Sequence, residues 1–480
     1  MSDGKQILKN IFSLSVAEYA AKGFAMIYTI YLMRIIGPEN NGIYTVAKSY
    51  ISYILIFIWL GFDLVGIREV VKDRKQIHNY VSSILAIRLS IAVLGYLILI
   101  IILETLHLND SIDYKTRLVI YVYGLLIFGN AIHIYWVFQA IERMYINAIR
   151  SVLINTLNLV GILLFVRDKD DLLIAIWIIV ISTFLNSVWM LFYYVKTEGK
   201  FKFTLDFKLC RNILIQSFSV GALFLIVQLY NSISVQILSY FKGDVQTGIY
   251  GAALQVIIFG LIPSVVLQGA FFPKFSRIDT FEERNSIVSK FLLMSLIVGV
   301  AISFTLFTFS EPIVAILGKK YSSTNGILKF LSATILIQYI SISFFSPLLA
   351  WKKEKLVIFA NIAGLTACII FSIFLIPEYG YYGAAIAGIA CEFAVLAVAA
   401  FIFYREQKTI YLTKIITVVL IGLPSFIIGH YIFEFGLNVY FSTIISIIIF
   451  FSLILAFKIV RISELKTLIG KEPVSNEPTL

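Results

Sequence analysis

The chain has 480 residues, of which 60% are hydrophobic and 14% charged, against about 45–50% and about 25% in soluble domains. That balance excludes a soluble enzyme and predicts an all-α polytopic membrane protein. The formal net charge of +11 is the one feature that points to nucleic acid, and nothing else in the chain supports that partner.

A bilayer crossing needs about 20 apolar residues. The chain divides into about fourteen such segments: 10–36, 41–66, 79–103, 118–141, 146–166, 171–195, 212–240, 246–272, 286–308, 325–349, 356–376, 382–404, 411–433 and 438–460. They are numbered 1 to 14 below. The start, MSDGKQILKN, runs into segment 1 without a small-residue cleavage site, so segment 1 is expected to be an uncleaved anchor. The turn Gly37-Pro38-Glu39-Asn40-Asn41-Gly42 parts segments 1 and 2. The polar stretch from Glu472 to Pro478 reads as a disordered end.

The basic residues give the topology. With the N-terminus in the cytoplasm, roughly 27 Lys and Arg fall on the inner side and roughly 7 outside, as the positive-inside rule demands. Inner loops carry Lys72, Arg74 and Lys75, then Lys196, Lys200, Lys202, Lys208 and Arg211, then Lys352, Lys353 and Lys355. Both termini are therefore expected in the cytoplasm. Five basic residues are left inside the segments: Lys22, Arg34, Lys48, Arg88 and Lys329. Four of the five lie in the first three segments.

A weak internal repeat is visible. Gly42-Ile43-Tyr44 opens segment 2 and Gly248-Ile249-Tyr250 opens segment 8. The same offset sets Arg68 against Lys274, and Gly380-Tyr381-Tyr382-Gly383 opens segment 12. The pattern predicts two six-helix lobes, 1–200 and 209–404, as parallel repeats. Segments 13 and 14 (405–460) would be an addition, and 461–480 a cytoplasmic tail.

Ionisable groups inside a membrane default to function. Glu18 and Lys22 are four residues apart and share a helix face. They form either a buried ion pair between helices or a cationic contact for an anionic cargo with Glu18 as its partner. Arg88 lies about 13 Å into segment 3, deep enough to face a cavity. Lys48 and Arg34 lie nearer the outer ends of their segments, where long stems either snorkel to the interface or reach cargo. Asp63, near the inner end of segment 2, is a coupling candidate, a cap or a partner of Arg68. Lys329 reads as interfacial. His133, in segment 4, suits a proton relay or a helix–helix hydrogen bond. Gln228, Asn231 and Gln255 suit sugar hydroxyls or packing. Glu392 stands alone in an Ala-rich segment 12, where an unpaired carboxylate could titrate with coupling. The three cysteines, Cys210, Cys368 and Cys391, and the four scattered histidines show no metal-ligand spacing.

Three motifs carry a resemblance. Residues 32–44, LMRIIGPENNGIY, resemble the R-x-L-G-P-x-x-y-G-x-Y signature of the polysaccharide transporter (Wzx-type) flippases. Residues 136–144, WVFQAIERM, are similar to that family's W-x-F-Q-A-x-E-x-M. Residues 376–385, IPEYGYYGAA, resemble its I-P-x-y-G-x-x-G-A-A, with Glu392 following at a familiar place. The resemblance implies the multidrug/oligosaccharidyl-lipid/polysaccharide exporter fold, a V-shaped pair of six-helix lobes around a central cavity. It implies transport, without catalysis or cofactor, of an undecaprenyl-pyrophosphate-linked oligosaccharide (O-antigen, capsule or a related repeat unit). The movement would run from the inner to the outer leaflet of the bacterial cytoplasmic membrane, by alternating access with H+ or Na+ as coupling ion. A polymerase and a chain-length regulator of the same pathway would be its protein partners. Related lipid II flippases use basic residues in segments 1, 2 and 8; Lys22 and Lys48 match in type and approximate slot, whereas segment 8 offers Gln255. A cation-coupled multidrug exporter of the same superfamily would need acidic residues to dominate here, and basic ones do. A membrane polymerase or glycosyltransferase would need a larger outer loop than those at 104–117 and 309–324.

Overall fold

The computed structural model describes residues 3–108, 113–199, 203–278, 280–457 and 459. The polar end at 461–480 and the side chains of Glu18 and Asn231 lie outside the described residues. Among those described there is no β-strand, and twelve helices are long and apolar enough to cross a membrane.

Two of the twelve carry two segments each. Asp3–Trp59 contains segments 1 and most of 2, and Phe207–Phe275 contains segments 7 and 8. The first breaks at Gly37 (φ 76°) and the second at Gly243 (φ 75°). A positive φ of this size suits only glycine, and Pro38 bars Gly37 from the helical region as well. Counting both breaks, the chain makes the fourteen crossings expected from its apolar runs.

Further breaks fall inside the crossings. Segment 2 is interrupted at Gly61 (φ 82°) and resumes as Phe62–Lys72. Segment 4 is divided into Tyr114–Gly124, Leu126–Ala131 and Tyr135–Ala140, with residues 132–134 outside any helix. Segment 3, by contrast, is one unbroken helix, Ile77–Leu108.

The chain forms two compact units. The first comprises Met1–Gln255, Ile316–Thr324 and Asn361–Cys391; the second comprises Val256–Ala315, Asn325–Ala360 and Glu392–Leu480. One core cluster of the first unit packs Ile43, Ala47 and Ile51 against Ala92, Leu99, Val119, Ile127 and Ile176. Another gathers Phe62, Val65, Ile84, Trp136 and Phe138 around the resumed ends of segments 2 and 4. Gly66 is needed there, because an ideal Cβ would lie 2.7 Å from the Trp136 ring. In the second unit Tyr339 donates to the Gly260 carbonyl at 3.0 Å and packs over Gly299. Segment 13 joins that unit through Phe426 against Phe304, and segment 14 rests on segment 13 at Gly429 and Ser446. Large apolar side chains such as Leu94, Ile101, Phe192, Phe374 and Phe441 are exposed, as lipid-facing surface must be.

The two Gly-Ile-Tyr motifs meet inside the first unit. A Cβ at Gly42 would land on the Asp244 carbonyl, and one at Gly248 would land on the Pro38 carbonyl. Asn41 closes the contact by donating from Nδ2 to the Gly248 carbonyl at 2.8 Å. Tyr321 ties the same end by donating to the Met33 carbonyl at 3.0 Å. Backbone here meets backbone, so neither side can yield by rotating a side chain. Gly248→Ala should therefore cost about 1–3 kcal/mol of stability, the usual toll of overpacking. Gly23→Ala, whose Cβ meets nothing within 4 Å, should cost nothing. Thermal unfolding of the purified protein in detergent checks both.

Candidate functional site

A helix broken in hydrocarbon frees backbone groups that water cannot reach, so protein must satisfy them. Arg88 does this for segment 4. Its side chain is only 1% exposed. Nη1 donates to the His133 carbonyl at 2.9 Å, inside the break, and Nη2 donates to Asp63 Oδ1 at 2.6 Å. Asp63 lies in the first turn of the resumed helix Phe62–Lys72, where the positive end of the helix dipole favours a carboxylate. One guanidinium thus joins three segments at two breaks.

The same break is served from segment 5. Asn147 Nδ2 donates to the Tyr135 carbonyl at 3.0 Å, and Arg150 Nη1 lies 3.1 Å from His133 Nε2. A guanidinium can only donate, so Nε2 accepts and the imidazole is neutral in this arrangement. Tyr135 stacks on that ring at 5.3 Å.

This geometry differs from the partner expected for Asp63. Arg68 is turned instead to Glu69 at 2.9 Å and to Gln216, because the break at Gly61 starts a new helix whose Asp63 faces segment 3.

Lys22 and Lys48 have different surroundings. Both are half-buried in the first unit, and neither has an ion-pair partner among the described residues. The Lys48 ammonium lies 4.5 Å from the centroid of the Tyr44 ring, a contact worth about 0.5–2 kcal/mol. Tyr44 in turn meets Tyr123 edge-on at 5.6 Å. Arg34 and Lys329 are exposed.

Beside Lys48 runs a line of neutral polar groups. Ser52 Oγ lies 3.2 Å from Ser232 Oγ, Tyr53 donates to Gln236 Oε1 at 3.2 Å, and Gln228 Nε2 donates to Ser232 Oγ at 3.0 Å. Gln228, Ser232 and Gln236 are spaced by four along segment 7, and Lys48 and Ser52 by four along segment 2, so each set shares a face. Gln228 was the one member expected from the sequence. The four-residue spacing of uncharged polar residues was the signal that could have found the others.

Gln255 is half-buried at the end of the first unit. Glu392 belongs to the second unit, is 7% exposed, and accepts from Gln338 Nε2 at 2.7 Å. It therefore does not stand alone, since segment 10 supplies an amide donor that the reading of segment 12 by itself could not show.

Residues 7–279 match the family model described as polysaccharide biosynthesis protein. The chain belongs to the polysaccharide biosynthesis protein family. It is 25% identical, over 83% of its length and 97% of the relative's, to an Escherichia coli (strain K12) protein provisionally named an O-antigen transporter. It is 23% identical, over 83% of its length and all of the relative's, to the capsular polysaccharide biosynthesis protein CapF of Staphylococcus aureus. In fold this family member matches the lipid II flippase MurJ in an inward closed conformation, with a TM-score of 0.75, 15% identity, and coverage of 94% of this chain and 100% of that one. It also matches an inward-facing multidrug resistance MATE family transporter of the MOP superfamily, with a TM-score of 0.62, 14% identity, and coverage of 82% and 95%. The polysaccharide biosynthesis family member thus has the MurJ and MATE fold.

The ion pair in its first unit makes a definite prediction. Asp63→Ala leaves Arg88 charged and buried, which should cost about 3–5 kcal/mol. Adding Arg88→Met to Asp63→Ala should recover part of that loss by removing the orphaned charge. Thermal unfolding of the two variants in detergent distinguishes them.

Proposed function

We propose that this protein is a flippase that carries an undecaprenyl-pyrophosphate-linked oligosaccharide from the inner to the outer leaflet of the bacterial cytoplasmic membrane. The observation that carries this reading is the contrast between Arg88, which has Asp63, and Lys22 and Lys48, which have no carboxylate among the described residues. An ammonium inside an apolar segment costs about 2.5–3.5 kcal/mol even on lenient scales. A pyrophosphate drawn to these ammonium groups supplies an anion for them. Glu18 and Arg34 stand in segment 1 with Lys22, and Arg88 in segment 3; they would shape the field that the anion meets. The relatives named for O-antigen transport and capsule biosynthesis support the same cargo class.

The lipid tail stays in the bilayer while the sugars occupy the polar space, where Gln228, Asn231 and Gln255 are candidates for their hydroxyls. Both termini lie in the cytoplasm on the charge count, which puts the glycine contact of segments 2 and 8 at the outer end. The movement is alternating access, with H+ or Na+ as the coupling ion. Glu392 is the stronger coupling candidate, because Asp63 is tied to Arg88 and His133 to Arg150. A polymerase and a chain-length regulator of the same pathway are the expected partners.

A charged hydrogen bond contributes about 1.5–3 kcal/mol, so Lys22→Gln and Lys48→Gln should each lower export about tenfold to a hundredfold. Surface polymer is scored in cells lacking the native copy, with membrane content measured alongside. Full export by the double variant at normal abundance sinks the reading.

A further inference from the structure

We infer that the hydrogen bonds between segments 2 and 7 form an exchangeable seam: the groups that bond one another in this structure are those that take the cargo's sugar hydroxyls. Loading the carrier therefore parts the two segments. The inference rests on the flippase reading and adds to it a sugar subsite and a way for cargo to drive opening.

Ser52 gives its proton to the Ser49 carbonyl at 2.7 Å. The contact between Ser52 and Ser232 at 3.2 Å therefore uses the Ser232 proton. Ser232 accepts in turn from Gln228 Nε2 at 3.0 Å. Tyr53 has one proton, and it goes to Gln236 at 3.2 Å. A hydroxyl has a single proton to donate. Given to a sugar oxygen, the Tyr53 and Ser232 protons are lost to the opposite segment, and both cross-links between the segments go with them.

Three observations point to a sugar rather than to plain packing. The groups are hydroxyls and amides with no charge among them, which matches a sugar's mixed donors and acceptors. Ser52, Tyr53, Gln228 and Gln236 are half-buried rather than sealed in the core, while Ser232 is buried among them. Ser52 lies one helical turn from Lys48, about 6 Å along the axis, so a pyrophosphate at Lys48 sets the first sugar beside the seam. The exchange costs little, because each bond broken between the segments is replaced by one to cargo. Segment 2 is joined separately to the start of segment 8 by the bond from Asn41 to the Gly248 carbonyl.

The test places nitroxide labels at Glu39→Cys and Val245→Cys, both exposed positions at the joined ends. The full chain is used, with Cys210, Cys368 and Cys391 replaced by serine. Electron-electron resonance then measures the label separation with no lipid, with undecaprenyl pyrophosphate, and with undecaprenyl pyrophosphate bearing a trisaccharide. The open population should rise from about 10% or less to a majority with the sugar-bearing lipid alone. Tyr53→Phe with Ser232→Ala should open the pair without any lipid, and a thermal shift within a few degrees of the parent confirms that the variant is folded. Equal opening by both lipids overturns the seam and leaves the flippase reading intact. An unchanged separation in the double variant also overturns it. Failure of the sugar-bearing lipid to bind, seen by native mass spectrometry, overturns the flippase reading and the seam with it.

Discussion

The Arg88 guanidinium satisfies the backbone of one broken membrane helix while neutralising a carboxylate at the start of another. Much else follows from that pair of bonds. Segment 4 can be broken at 132–134 because its freed carbonyl at His133 finds a donor at 2.9 Å. Segment 2 can restart at Gly61 because Asp63, placed at a helix N-terminus, is neutralised by the same group. The unbroken segment 3 is the rigid post from which Arg88 reaches both. In hydrocarbon these groups have no water to fall back on, so the arrangement holds only as a set.

The membrane segments hold two kinds of cation. Arg88 is matched one for one, and its role is to let helices bend. Lys22 and Lys48 carry charge that no carboxylate among the described residues cancels, and the Lys48 ammonium lies over a tyrosine face beside neutral polar groups. On the proposed reading, the cost of such lysines in apolar segments is met by an anion that comes and goes. A lipid pyrophosphate is such an anion, and the hydroxyls and amides along segments 2 and 7 suit the sugars attached to it.

The crossings were legible in the sequence because their signal is length, and about 20 apolar residues cannot be mistaken for much else. Gly37-Pro38 announced its break through a residue pair with a known conformational limit. Gly42 and Gly248 were visible as a repeat, but their contact was not, since it needs segments 2 and 8 brought face to face across more than two hundred residues of chain. The breaks at Gly61 and at 132–134 were hidden. The second contains neither glycine nor proline and exists because Arg88, Asn147 and Arg150 hold it from other segments. The partner of Asp63 was missed for the same reason. Sequence proximity favoured Arg68, and only the restart at Gly61 turns the carboxylate toward Arg88. Ser52, Tyr53 and Gln236 escaped notice because uncharged polar residues are common in membrane helices and stand out only when their spacing is read on both segments together.

The most direct measurement of the central claim is leaflet exchange in vesicles that contain the purified protein and a labelled undecaprenyl-pyrophosphate trisaccharide. A membrane-impermeant glycosidase added outside cleaves only sugar on the outer face. The account predicts that all of the label becomes cleavable over time with the wild-type protein. With Lys22→Gln and Lys48→Gln combined, cleavage should stop at the fraction initially outside. The same plateau with the wild-type protein, under an imposed proton or sodium gradient of either polarity, would contradict the account.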